Sequence, residues 1–390
     1  MRKRGICLLC ALCFAYSAHA FDYGLELENK TDILDMTPAN ELTVSPYFKF
    51  FFERAGWFFF EFDLSAAVEN GVWSFEVWPG TAGFHFDITG HITLNLGRQY
   101  YKDISGMIAD GSLDGFGLTF ELPVGSLSLS AFYTGLLSKK RTKIIMSDED
   151  AALYAKSENR FAPKKFFSAL ELELDGLLSS ESALFLGLAA QLDITNGPPL
   201  NNYYASFKAV LPLASTINFD FGSTTGIAEN NGAFALESAS FVNAVWRPEV
   251  TALKDAVFCG VIWSSGHGDG DFGAFYPLTF NEQGDVWTAQ LSNLAQVHAE
   301  YQFEIGAMLF SRLSFRYFFR TSFVVPESFS VVKNNEHALG PEAYFSVRIL
   351  PYTDIELNTG FGLFIPNKDI FDSFYPPVLW KFNFSLKVEV

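Results

Sequence analysis

The C-terminal segment alternates without a break. Trp380, Phe382, Phe384, Leu386, Val388 and Val390 share one parity, and Lys381, Asn383, Ser385, Lys387 and Glu389 share the other. Successive strand side chains point to opposite faces, so this segment predicts a strand with one apolar and one polar face. Its length suits a tilted strand crossing a bilayer, which takes ~9–11 residues.

The pattern recurs along the chain. Leu170, Leu172 and Leu174 alternate with Glu171, Glu173 and Asp175, and Leu184 to Ile194 follow the same rule. So do Phe84, Phe86 and Ile88 with His85 and Asp87, Ile217, Phe219 and Phe221 with Asn218 and Asp220, and Ile355, Leu357 and Phe361 with Glu356 and Asn358. Short turns at Thr89-Gly90, Pro123–Gly125, Gly176–Glu181, Leu213-Ala214, Gly306-Ala307 and Pro351-Tyr352 alternate with longer polar stretches near 97–114, 138–165, 195–202, 225–232, 265–285, 325–339 and 365–377. Short turns on one rim and long loops on the other predict an all-β, transmembrane, antiparallel up-and-down β-barrel of about 16–18 strands. Eighteen follow if 72–89 is one strand kinked at Pro79-Gly80, and sixteen if a weak candidate such as 233–247 is not a strand. An even number places both termini on the periplasmic side.

Composition sharpens this picture. Aromatics make up 17% of the chain and mean hydropathy is +0.15, yet no apolar run after the N-terminus is long enough for a membrane helix. Arg2, Lys3 and Arg4, the apolar run Ile6–Tyr16 and Ala18-His19-Ala20 predict a signal peptide over 1–20, leaving 21–390 as a single barrel. Removing those three cations takes the formal charge from −17 to −20, which argues against nucleic-acid binding. The mature chain keeps one cysteine, Cys259, expected as a small packed strand side chain, so no internal disulfide forms. Trp57, Tyr203, Tyr204, Trp246, Trp263, Tyr375 and Trp380 fall near strand ends and are expected to form the interfacial aromatic girdles.

Leu96-Gly97-Arg98-Gln99-Tyr100, followed by Asp110-Gly111 and Asp114-Gly115, resembles the strand end and following loop of general bacterial porins. The local match spans about twenty residues, while the barrel pattern spans the mature chain. Porins usually end in Phe, which the assembly machinery reads; this chain ends in Val390. Its Phe-rich composition and divergent end are similar to those of spirochaetal outer-membrane proteins. The resemblance implies an outer-membrane location, contact with membrane lipid and the barrel-assembly machinery, small hydrophilic solutes as cargo, no cofactor, and the homotrimeric state common among porins.

Strand parity nominates the pore lining. Arg312, Arg316 and Arg320 share one face, and His298, Glu300 and Glu304 share the facing side of the preceding strand. Glu171 and Glu173 join the same lumen. An outward guanidinium would cost ~2–4 kcal/mol at mid-bilayer, so these arginines are expected inward. Opposed basic and acidic rows set ion selectivity; the plainer reading is that they pair as struts in the wall. The segment 97–114, with Arg98, Tyr100, Lys102, Asp103 and Asp110, is a candidate constriction loop or, equally, an external loop. Lys139–Lys143 followed by Asp148–Asp150 reads as an exposed, solvated loop.

Catalytic and metal motifs are absent from the sequence. His267 with Asp269 or Asp271 is the one enzymatic pairing available, and a flexible loop explains that stretch more simply. The expected function is passive diffusion of small hydrophilic solutes or ions. The rival readings are a surface adhesin or ligand-binding barrel with inward loops, and then a transporter for hydrophobic molecules, which the charged inner face disfavours.

Overall fold

A computed structural model describes residues 18–52, 56–69, 71–139, 142–145, 160–195, 200–230, 232–248, 254–266, 273–323, 336–371 and 375–390. They form one antiparallel sheet of eighteen strands. The first nine are β1 (Ala18–Leu34), β2 (Thr37–Phe52), β3 (Gly56–Glu69), β4 (Val72–Thr89), β5 (Ile92–Lys102), β6 (Asp110–Leu122), β7 (Gly125–Tyr133), β8 (Lys165–Asp175) and β9 (Ala183–Asp193). The rest are β10 (Leu200–Ala214), β11 (Ile217–Asn230), β12 (Ala233–Trp246), β13 (Ala256–Ser264), β14 (Leu294–Ile305), β15 (Leu309–Arg320), β16 (Ala338–Tyr352), β17 (Ile355–Phe364) and β18 (Leu379–Glu389). Each strand pairs with its sequence neighbours, and β1 pairs with β18 from Glu26↔Glu389 to Leu34↔Lys381. The sheet is therefore a closed barrel with no free lateral edge around its girth.

The two faces follow the alternation. Phe84, Leu96 and Phe116 lie in one row of direct partners and point outward, as do Leu170 and Leu188. Leu188 and Phe315 are more than half exposed, the expected state of side chains that meet lipid rather than a protein core. Cys259 also sits on the outward face, in register with Ala299, and is exposed rather than packed.

β4 resolves the strand count. It runs unbroken from Val72 to Thr89, but its pairing with β3 jumps from Phe62↔Pro79 to Phe60↔Ala82. This β-bulge flips the parity: Trp73, Phe75 and Val77 face outward before it, and Phe84, Phe86 and Ile88 after it. A period-2 reading sees two strands there because the phase changes inside one. The weak candidate 233–247 is a strand too.

Several connections are shorter than the sequence suggests. The 97–114 stretch is strand as far as Lys102 and again from Asp110, leaving 103–109 as the loop. The 225–232 stretch is strand to Asn230, which pairs with Ala233 at the start of the next strand. On the same rim, β1–β2 turns at Asp35 and Met36, both with positive φ, as two-residue hairpins require.

Candidate functional site

Loops of the chain fold into the lumen. The segment 273–293, between β13 and β14, leaves the wall and crosses the interior. Its two ends pack Phe275, Leu278 and Leu291 against the wall residues Phe132, Phe167 and Tyr204 and against Met107, Ile108 and Ile144 of two other loops. Its middle packs Val286 and Ala289 against Phe318, Tyr344 and Phe364, with Trp287 stacked on Phe364 at 5.0 Å. Burying these apolar groups supplies the drive that holds irregular backbone inside the barrel.

Polar side chains of the wall then fix the path of each loop. Glu342 on β16 is buried and accepts backbone N–H bonds from Asp285, Val286 and Trp287 at 2.8, 3.0 and 2.8 Å. Arg312 donates to Asp285 at 2.7 Å, and Arg316 pairs with both Asp285 and Glu342. Lys381 Nζ donates to the Asp285 carbonyl at 2.9 Å. Burial pushes the Asp285 carboxyl up, but Arg316 and Arg312 outweigh it and hold the group below the usual aspartate range. At the other end, Glu237 accepts from the Tyr276 N–H at 2.8 Å, and Tyr204 Oη donates to the Tyr276 carbonyl at 2.5 Å.

The loop 103–109 turns inward by the same logic. Glu171 accepts from Tyr101 Oη and from the Ile104 N–H, both at 2.9 Å. The buried Asp103 accepts the N–H groups of Ser105, Ile108 and Ala109 and so ties the loop into one turn. Ile108 then offers its carbonyl to Leu278, and Lys143 pairs with Glu282 at 3.1 Å. The Lys139–Lys143 stretch is therefore not wholly a solvated outer loop: its described end, 142–145, joins the crossing segment through the Ile144↔Thr279 bridge. His267, Asp269, Asp271, Lys140, Arg141 and Asp148–Asp150 lie outside the described residues.

Among the described residues, one side of the lumen is left open. Neither apolar cluster contains a residue of β1–β4. The two-residue β1–β2 turn itself sends no chain inward. The inward row on β1 is Glu26, Glu28, Lys30 and Asp32, in register with the polar face of β18. The Lys30 and Asp32 side chains keep 51% and 32% exposure, whereas inward Gln191, Asn202, Thr224 and Glu237 on the filled side keep none. Toward the turn-bearing rim, a cavity of about 750 Å³ opens below the crossing segment, lined by Arg312, Arg348, Glu304, Gln302, Asn358 and Asn383 among others.

The residues nominated from parity have separate surroundings. Arg312 and Arg316 latch the crossing segment, and Glu300 sits 3.5 Å from Arg312. Arg320 Nε donates to the Glu336 carbonyl at 2.6 Å. Glu304 lies 3.6 Å from Lys254, Glu173 accepts from Ser126, and His298 packs over Gly260 opposite Asn243. The constriction expectation changes. Tyr101 and Leu113 face the lumen, so the opposite parity, Arg98, Tyr100, Lys102 and Asp110, lies on the exterior. There Arg98 forms a bidentate pair with Asp114 at 2.8 Å, and Lys102 pairs with Asp110 at 2.9 Å. Only Asp103 of that set turns inward.

Three expected girdle aromatics are also interior. Trp57 stacks on His85 at 5.1 Å, Tyr204 anchors Tyr276, and Tyr375 packs on Phe371. Tyr203, Trp246 and Trp263 remain exposed on the outside. Glu342, Glu237, Asp285 and Lys381 were not singled out from the sequence. Glu342 and Glu237 each interrupt a stretch of mostly small or apolar residues, the one signal available for them.

A closed eighteen-stranded barrel with an inward-folded loop is the architecture of outer-membrane porins, and this chain has that fold. It aligns with the outer membrane protein OprD from Pseudomonas aeruginosa at TM-score 0.64 and 12% identity, covering 95% of this chain and 93% of that one. OccAB1 of Acinetobacter baumannii aligns at TM-score 0.63 and 11% identity over 96% and 97% of the two chains. OccK5 (OpdH) of P. aeruginosa aligns at TM-score 0.60 and 10% identity over 96% and 99%. No protein-family model matches the sequence, and no curated protein matches it.

Proposed function

We propose that the chain is an outer-membrane channel for passive diffusion of small hydrophilic solutes and ions. Residues 1–20 are removed on export; β1 then starts at Phe21 and keeps its pairs with β2 from Phe21↔Phe50 onward. The conducting path runs off-centre, between the crossing segment and the wall of β18 and β1–β4. The observation that carries this reading is the contrast in exposure between polar inward side chains on the two sides of one lumen. Polar groups on a sealed wall would need protein partners, whereas an aqueous path hydrates them directly.

Purified protein in planar bilayers should give discrete single-channel steps, and liposomes carrying it should swell in small sugars but not in large ones. Absence of both conductance and swelling would defeat the reading. A ligand-binding barrel is the second reading, favoured by the loops that pack inside the lumen. It requires a silent bilayer recording together with binding of a soluble ligand.

A further inference from the structure

We infer that the open side of the lumen prefers cations, and that carboxylates of β1, β3 and β4 set this preference. The inference rests on the channel reading above. The inward residues of adjacent strands line up in direct register: Lys387, Glu28, Thr43, Ser65 and Glu76 form one row across β18, β1, β2, β3 and β4. Beside it, Ser45 donates to Asp63 at 2.7 Å, and Glu61 shares the Asp63 face of β3. Lys387 sits 2.8 Å from Glu26, and Lys30 lies 3.2 Å from Asp32, so the two nearest ammonium groups already have carboxylate partners. Further acids remain on this wall, and acids exceed bases.

The facing boundary does not offset that excess. On the opposite wall Arg348 shares its cavity with Glu304, and Asp285, Glu300 and Glu342 hold Arg312 and Arg316 in ion pairs. Their charge is spent on fixing the crossing segment. A solute passing along β1–β4 therefore meets a net negative wall within a few ångströms, inside the ~10 Å Debye length at 0.1 M salt. Charge rings at this range set ionic preference. The solute class is small cations: alkali ions and compact organic ammonium compounds. Chloride and carboxylate solutes are disfavoured.

The test uses the whole protein in planar bilayers under a potassium chloride gradient. The wild type should reverse at a potential of cationic sign, with a permeability ratio for potassium over chloride above one. Raising salt from about 0.1 M to about 1 M should pull that ratio toward one, because the Debye length shortens to ~3 Å. The isosteric triple change Glu28→Gln, Glu61→Gln and Glu76→Gln should also pull it toward one at low salt. Lys102→Gln, on the exterior face, should leave it unchanged. Each variant is first shown to migrate as a folded, heat-modifiable barrel; if the triple variant does not fold, the salt series on the wild type decides. A conducting wild type that is anion-selective or unselective overturns the inference, as does a folded triple variant with an unchanged ratio. Absence of any conductance overturns the channel reading itself.

Discussion

Arg316 on β15 and Glu342 on β16 are direct register partners, 3.2 Å apart, and both close on Asp285 of the crossing segment. Opposite charges on neighbouring strands would ordinarily be a wall strut. Here the pair is also a clamp. The arginine takes the Asp285 carboxylate while the glutamate takes the backbone N–H groups of residues 285–287.

Breaking the clamp should loosen the segment rather than the barrel. Glu342→Ala leaves three backbone N–H groups without their acceptor in a buried site and leaves Arg316 with Asp285 as its remaining carboxylate partner. Removing one partner of a buried pair costs about 3–5 kcal/mol. The expected outcome is larger, noisier single-channel conductance and faster proteolysis within 273–293, with the heat-modifiable barrel retained. Unchanged conductance and protease resistance would show that apolar packing alone holds the segment.

Acid should act on the clamp late. The Asp285 carboxyl is held below its ordinary range, so its folded-state value lies under its unfolded one. Such a group contributes stability that is fully present above the unfolded value and is lost as pH falls through the folded one. Protease cleavage within 273–293 should therefore stay constant from neutral pH down through the ordinary aspartate range. It should rise only below that range. Asp285→Asn should show the acid phenotype at neutral pH. Cleavage of the segment beginning well above the ordinary aspartate range would assign the transition to another group.

Much of the barrel was legible from alternation alone, because a wall with lipid outside and polar groups inside writes its period into every strand. Parity failed at two kinds of place. At Pro79-Gly80 an extra residue shifts the phase, so one strand looks like two. At Arg98 and Asp110 the alternation continues above the apolar belt, where the exterior is polar too, and polarity no longer tells outside from inside. The crossing segment was not legible. Its anchors, Glu237 and Glu342, look like ordinary strand residues, and their partners lie about forty and fifty-seven positions away in the chain. Nothing local encodes such a contact.

The exterior placement of Arg98 makes a separable prediction. Its guanidinium binds Asp114 on β6, the Pro79 carbonyl on β4 and the Leu136 carbonyl of a loop, where the β4–β5 ladder ends at Ala82↔Arg98. Arg98→Lys keeps the charge but loses the planar fork that reaches several acceptors at once. The melting temperature of the detergent-solubilised barrel should fall by a few degrees, while ion selectivity stays as in the wild type. A change in selectivity at constant stability would return Arg98 to the conducting path.

Gly97 lets β5 approach β4 closely at the end of their ladder. Its φ is +110°, and a Cβ placed there would lie 2.2 Å from the Ala82 carbonyl oxygen. No side chain fits, and the conformation is itself strained for any residue but glycine. Gly97→Ala must therefore either push β4 away from β5 or abandon the positive φ. Either change breaks the last rungs of the β4–β5 ladder, at a cost of about 1–3 kcal/mol for the backbone conformation alone. The variant should accumulate as unfolded protein in the membrane fraction, and its folded share should recover at lower growth temperature. Gly90 is the control, because a Cβ there meets nothing within 4 Å and its φ is not positive. Gly90→Ala should fold like the wild type, and equal folding of the two variants would show that the approach of Gly97 to Ala82 does not constrain the barrel.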